Sequence, residues 1–243
     1  MTIQKTQIRI NDIIYTVTTH IERRSSVRVS ITKTGINIRI PRHLSSFQRE
    51  SEGKRFLDWA IEKIKSKPTI VPKTPIYQNN HLIRTHSKIY KLQIEHRDSI
   101  KNFSKISGSY IILKISNSHD EQAKQKYISK QLQKLLAKNH LEELKSRVHR
   151  LNTVHVNKPI NKISYKYTIS RWGICNSTKK EINISTRLLL APIEILEYVI
   201  IHELCHLIEP NHSKRFWNIV KSIDPQYKQK KKWINANGSS LNI

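Results

Sequence analysis

The stretch EYVIIHELCHLIEPNHSKRFW, Glu197 to Trp217, constrains the fold of this chain more than any other. Between Arg187 and Lys214 there is no lysine or arginine, in a chain that carries 44 of them among 243 residues. A segment so apolar reads as a buried helix. Pro192 opens it, at a position where the missing N–H has no intrahelical partner to lose. At 100° per residue, His202 and His206 lie about 40° apart on one face. Ile195 and Val199 share that face, and Glu194 and Glu197 point away from it. Two imidazoles thus occupy a core-facing stripe, where burial without partners costs on the order of several kcal/mol. A shared metal removes that cost, because neutral imidazoles at i and i+4 reach one Zn²⁺ at about 2.0–2.1 Å.

Glu203 follows the first histidine and projects about 100° round the helix. There it reaches a water activated by the metal without entering the coordination sphere. This is the HExxH arrangement, in which the metal lowers the water pKa and the carboxylate takes its proton. A catalytic site needs a third protein ligand and one open position. Pro210 stops the helix near Ile208 or Glu209, so the chain turns and brings His212 back toward the metal. Glu209 and Asp224 are the competing third ligands, and Glu209 is alternatively a group that orients a ligand. Ser213 caps the next helix, in which Phe216, Trp217 and Val220 read as core.

The rest of the chain is basic, with a formal net charge of +26. Such a field attracts polyanions, either nucleic acids, nucleotides or acidic membrane surfaces, and it also arises from lysine-rich composition alone. The four glutamates Glu194, Glu197, Glu203 and Glu209 make the histidine helix locally acidic, which suits a bound cation. Two cysteines, Cys175 and Cys205, imply no disulfide framework and a reducing compartment. The first residues alternate like a strand and lack the apolar core of a signal peptide. No apolar run approaches the roughly 20 residues that span a bilayer. These features predict a soluble, cytoplasmic protein.

The fold class expected is α+β, with a β-rich part over residues 1–118 and a catalytic part over 119–243. Ser26 to Pro41 reads as a hairpin around Lys33-Thr34-Gly35, and Phe47 to Lys67 as a helix. Pro68, Pro72 and Pro75 mark a linker, and strands follow over 81–96 and 103–116. One long polar helix is expected from Asp120 to Arg150. Two strands are expected within Lys162 to Ser185, and short helices near Ser213 to Ser222 and Gln226 to Asn235. No internal repeat is evident.

Ser170 to Trp217 resembles the YgjP-like metallopeptidase domain, a relative of the SprT-like zincins. The shared features are the tryptophan-glycine segment ending at Cys175, HExxH, the gap Leu207 to Asn211, and Asn211-His212-Ser213 followed by Phe216-Trp217. The resemblance extends over residues 1–243. It implies a zincin-like fold for the C-terminal part, zinc held by His202, His206 and His212, and Glu203 as general base. The family's serine before the cysteine is Ile174 here. Glu209 and the absence of any methionine beyond Met1 exclude a metzincin.

Arg171 is a candidate to polarise a substrate carbonyl, with a surface ion pair as the competing reading. Trp172 and Cys205 read as core. Ile182 to Ser185 is either an edge strand that pairs with an extended peptide or a strand inside its sheet. Three functions follow: a zinc peptidase acting on a peptide or protein; a hydrolase of nucleotide phosphoanhydrides, which a divalent metal other than zinc would favour; and a DNA-associated protease or binding module using the basic surface. Oligomeric state is not legible.

Overall fold

Alternation of apolar and polar residues sets the first sheet. The computed structural model describes residues 2–10, 13–32, 35–66, 75–98 and 101–243. It divides into two compact units, residues 1–71 and 72–243. In the first, β1 (Thr2–Ile10), β2 (Ile13–Glu22), β3 (Arg28–Ile31) and β4 (Gly35–Pro41) pair in the order β1-β2-β4-β3. The hairpin expected over Ser26 to Pro41 is β3 and β4, with Val29 opposite Ile38. Its Lys33-Thr34 turn lies outside the described residues, as do Pro68 and Pro72 of the linker. Tyr15, Val17, Ile36, Ile38 and Ile40 are buried on one face. They pack with Ala60 and Ile64 of α1 (Ser46–Ser66). Ser45 and Gln48 exchange side-chain bonds with each other's amides, 3.2 and 3.0 Å, and so fix the start of α1.

The second unit opens on the same plan. β5 (Leu82–Arg84), β6 (Ile89–Arg97), β7 (Phe103–Ser107) and β8 (Tyr110–Ser116) pair as β5-β6-β8-β7. Both sheets join an antiparallel hairpin to a second one through a central parallel pair. The registers coincide 75 residues apart: Ile8↔Tyr15 recurs as Ile83↔Tyr90, Val17↔Ile36 as Leu92↔Ile111, and Ile31↔Ile36 as Ile106↔Ile111. α2 (Glu121–Asn139) follows its sheet as α1 follows the first, beginning 75 residues later. The chain therefore contains a repeated ββββα module, contrary to the sequence reading. Conserved register and interchangeable apolar residues preserve the plan while few identities survive.

The helix expected from Asp120 to Arg150 is two helices, α2 and α3 (Leu141–His155), capped at the start by Asp120 and broken at His140. The His140 ring is buried and needs partners. Tyr90 Oη lies 3.0 Å from its Nε2 and Glu143 Oε2 lies 3.1 Å from its Nδ1. Three strands follow rather than two: β9 (Lys162–Lys166), β10 (Gly173–Asn176) and β11 (Glu181–Ser185). β11 lies in the middle, parallel to β9 and antiparallel to β10, so β10 is the edge.

The chain ends in α4 (Ile193–Cys205), α5 (Lys214–Ile223) and α6 (Tyr227–Asn237). α4 buries Leu196, Val199, Ile200 and Leu204 among Leu144 and Val148 of α3 and Ile182 and Ile184 of β11. Glu197 pairs with Arg147 and Arg150 at 3.2 and 2.6 Å, joining α4 to α3. Among the described residues no helix is long and apolar enough to cross a membrane.

Arg187 is buried in a turn between β11 and α4. It donates to the carbonyls of Leu241 (2.7 Å), Ile169 (3.0 Å) and Gly238. Its guanidinium lies 4.2 Å from the centre of the Trp172 ring. A Cβ on Gly238 would overlap that indole. Trp172 is thus packed against the core on one side, but it is only half-buried and also borders a cavity, where the sequence reading placed core. Arg187→Met leaves three carbonyls without their donor. It is expected to cost about 2–4 kcal/mol in denaturant unfolding, with Arg187→Lys recovering only part of the loss.

Candidate metal centre

α4 carries His202 and His206 one turn apart, and it ends at Cys205, earlier than the Pro210 stop predicts, with His206 as its C-cap. The chain turns through Leu207 and Ile208, and His212 returns to the same place. The ring nitrogens of His202, His206 and His212 lie within 4.8 Å of one another. His212 Nε2 is 2.9 Å from His202 Nε2. His206 Nδ1 faces the main-chain carbonyl of Glu209 at 3.2 Å. A carbonyl only accepts, so that nitrogen carries the proton and Nε2 is left as a bare donor. Burial, with His206 and His212 adding to it, pushes His202 down to about 3, so its ring is neutral. Burial also lowers His206. Three converging imidazoles are the donor set of a zinc ion with one position open, and the residues fit that group.

The aromatic residues of α5 hold the rings. His206 stacks on Phe216 at 4.5 Å and His212 on Trp217 at 5.7 Å. Ser213 caps α5 by accepting from the Phe216 amide at 3.3 Å. Phe216 is fully buried, as expected, but Trp217 is half-buried and forms part of the cavity wall, where the sequence reading placed core. Lys231 of α6 also lies over that indole, 4.4 Å from its centre.

Glu203 is 5% exposed and faces a cavity of about 770 Å³ that all three histidines border. Burial pushes its carboxyl up to about 8, against the pull of the Cys175 N–H and the Arg171 charge. Arg171 is exposed on the cavity wall. Gly173 is the residue the sequence reading missed. A Cβ built there would lie 2.5 Å from Cγ of Glu203 and 2.7 Å from its Cδ. The carboxylate occupies the space that any other residue of β10 would fill. Its signal was present as one of only five glycines in the chain.

The remaining candidates lie elsewhere. The Glu209 carboxylate is 3.9 Å from Arg215, and only its main-chain carbonyl meets a histidine of the cluster. Asp224 pairs with Lys230 at 2.8 Å and accepts from the Gln226 amide. Glu197 serves the α3 arginines, so among the helix carboxylates Glu203 alone borders the cavity. Ile174 also borders it. Cys175 and Cys205 are both pushed up to about 12 by burial, with Glu203 adding to the effect at Cys175.

The YgjP-like metallopeptidase domain matches residues 25–237. The chain belongs to that family. A UTP pyrophosphatase of Escherichia coli (strain K12) is 35% identical over 79 residues, which are 32% of this chain and 46% of that protein. The match thus spans less than half of that relative's length. Two solved metallopeptidase zymogens share part of the chain. Abylysin of Pyrococcus abyssi is 20% identical at TM-score 0.35, over 37% of this chain and 90% of its own. Jannalysin of Methanocaldococcus jannaschii is 21% identical at TM-score 0.34, over 38% and 94%.

Gly173→Ala drives a methyl group into Glu203 but touches no histidine. It is expected to leave zinc content at the wild-type value while lowering zinc-dependent hydrolysis about 10²-fold, the scale of a one-ångström misplacement. Loss of zinc as well would give the glycine a broader structural role.

Proposed function

We propose that this chain is a zinc-dependent peptidase in which His202, His206 and His212 hold the ion and Glu203 is the general base. The observation that carries the reading is the three-histidine cluster with a buried carboxylate bordering the same cavity. When bound, zinc acidifies a water to a pKa of about 7 and acts as a Lewis acid toward a carbonyl. Glu203 takes the proton of the attacking water and passes it to the leaving amine. Burial holds the carboxyl at about 8, and the Cys175 N–H, the positive charge of Arg171 and a bound cation all pull toward the ionised form that the base requires. Arg171, exposed on the wall, is the residue we place against the substrate carbonyl.

Positioning falls to β10. It is an edge of its sheet, and Gly173, Ile174 and Cys175 all border the cavity. We assign to it the peptide-pairing role considered for Ile182 to Ser185, because β11 already has a neighbour on each side. Ile174 makes this part of the wall more apolar than the family's serine would.

A second reading is hydrolysis of a nucleotide phosphoanhydride. The similarity to a UTP pyrophosphatase favours it, and Arg171 and Lys231 bring positive charge to the cavity wall. One experiment separates the two: zinc-loaded protein is given a mixed peptide library and, separately, UTP. Peptide cleavage that falls about 10²–10⁴-fold in Glu203→Gln, with zinc retained, is expected. Pyrophosphate release from UTP with all peptides intact would replace the peptidase reading.

A further inference from the structure

A second group of metal-binding side chains lies outside the cavity, at the break between α2 and α3. His86 belongs to the turn between β5 and β6, His140 sits at the break, and Glu143 lies in the first turn of α3. Their ligand atoms lie within 4.8 Å of one another. His86 Nε2 is 3.1 Å from Glu143 Oε1, and His140 Nδ1 is 3.1 Å from Glu143 Oε2. Ser87 Oγ stands 3.0 Å from the same Oε2 and 3.5 Å from His140 Nδ1. Both imidazole side chains are 2% exposed, and the carboxylate is 29% exposed, which leaves one side open to solvent.

We propose that His86 Nε2, His140 Nδ1 and the Glu143 carboxylate form a second site for a divalent transition metal of the zinc class, separate from the three-histidine centre. Donors at about 2.0–2.2 Å in a tetrahedron stand roughly 3.3–3.6 Å apart. The two nitrogen-to-carboxylate separations of 3.1 Å need only a few tenths of an ångström of adjustment, and the two ring nitrogens, within 4.8 Å of each other, close on the ion with them.

Two of the three ligands already have the outer partners that a metal site requires, and the buried His86 Nδ1 has none. Tyr90 Oη meets His140 Nε2 at 3.0 Å and also accepts from Asn139 at 2.7 Å. With the His140 proton on Nε2, donated to Tyr90, Nδ1 is bare and faces the carboxylate. Arg147 donates to Glu143 Oε1 through Nε and Nη2 at 3.2 and 3.0 Å. That grip fixes the carboxylate while Oε2 stays turned to His140 and Ser87.

The repeated module supplies an independent argument. Seventy-five residues before His86, His140 and Glu143 the chain has Asn11, Lys65 and Pro68. The first copy thus lacks both histidines, and Glu143 comes from α3, which follows the second copy. An ion there pins the β5–β6 turn to the start of α3. Arg147 also donates to Glu197 at 3.2 Å, so the same carboxylate is tied to the helix that carries His202. Both Glu143 oxygens are engaged, which leaves no free base beside the ion.

The test is metal content of the full chain, stripped with chelator, reloaded with Zn²⁺, freed of excess and quantified by mass spectrometry. Wild type is expected to hold two zinc ions and His202→Ala/His212→Ala one. That remaining ion should disappear when His86→Gln is added, and zinc should raise the melting temperature of the double variant but not of the triple. A folded double variant that holds no zinc, or zinc that persists in the triple variant, overturns the proposal. If the double variant does not fold, His86→Gln in the wild-type background decides: a fall from two ions to one supports the site, and an unchanged count overturns it.

Discussion

A lone pair or charge removed from water has to be met by something else, and the larger unit is organised around such groups. Burial holds the rings of His202 and His206 below the usual imidazole range, His212 joins them from the solvent side, and Glu203 stands over the same cavity with little solvent to stabilise it. The neutral ring is the form that binds a metal, so the burial that disfavours charge on His202 and His206 also prepares the donor set. Phe216 and Trp217 keep two rings oriented by stacking, and the Glu209 carbonyl selects the His206 tautomer. Glu203 depends on a longer chain of contacts. Arg187 holds Trp172, Trp172 leads directly into Gly173, and the missing side chain of Gly173 makes room for the carboxylate. A residue outside the cavity lining thereby bears on the geometry inside it.

The parts of the site that could be read in the sequence are those written as side chains at helical spacing. His202, Glu203 and His206 share one turn of an apolar helix, and Pro210 announces the reversal that returns His212. Gly173 could not be read this way, because what it contributes is the space left by an absent Cβ. The role of Trp217 was hidden for another reason. Helical periodicity places it beside Phe216, but only the tertiary arrangement decides which of the two meets solvent.

The fold was legible where local patterning decides it and obscure where distant partners do. α1, α4, α5 and α6 follow their apolar periodicity. The α2–α3 break does not, because a continuous polar helix pattern runs through His140, and its reason is a hydrogen bond to Tyr90 from a strand 50 residues earlier. The repeat escaped notice because apolar residues stand in for one another on a buried sheet face, as Val17 and Leu92 do, or Ile38 and Leu113. Between the registers of the two sheets, identities survive at only a few places, among them Ile8 and Ile83, Arg9 and Arg84, and Tyr15 and Tyr90.

That repetition turns the molecule into its own reference. Positions that match between the copies record what the ββββα plan demands, and positions that differ record what was added to it. Tyr15 and Tyr90 are both buried at the same place in their sheets. Yet the helix residues that correspond to Asn139 and His140, the partners of the Tyr90 hydroxyl, are Ile64 and Lys65. An apolar corner in one copy has become a polar one in the other, on a scaffold that otherwise kept its register. Differences of this kind separate inherited architecture from acquired chemistry within a single chain, with no second protein needed for the comparison.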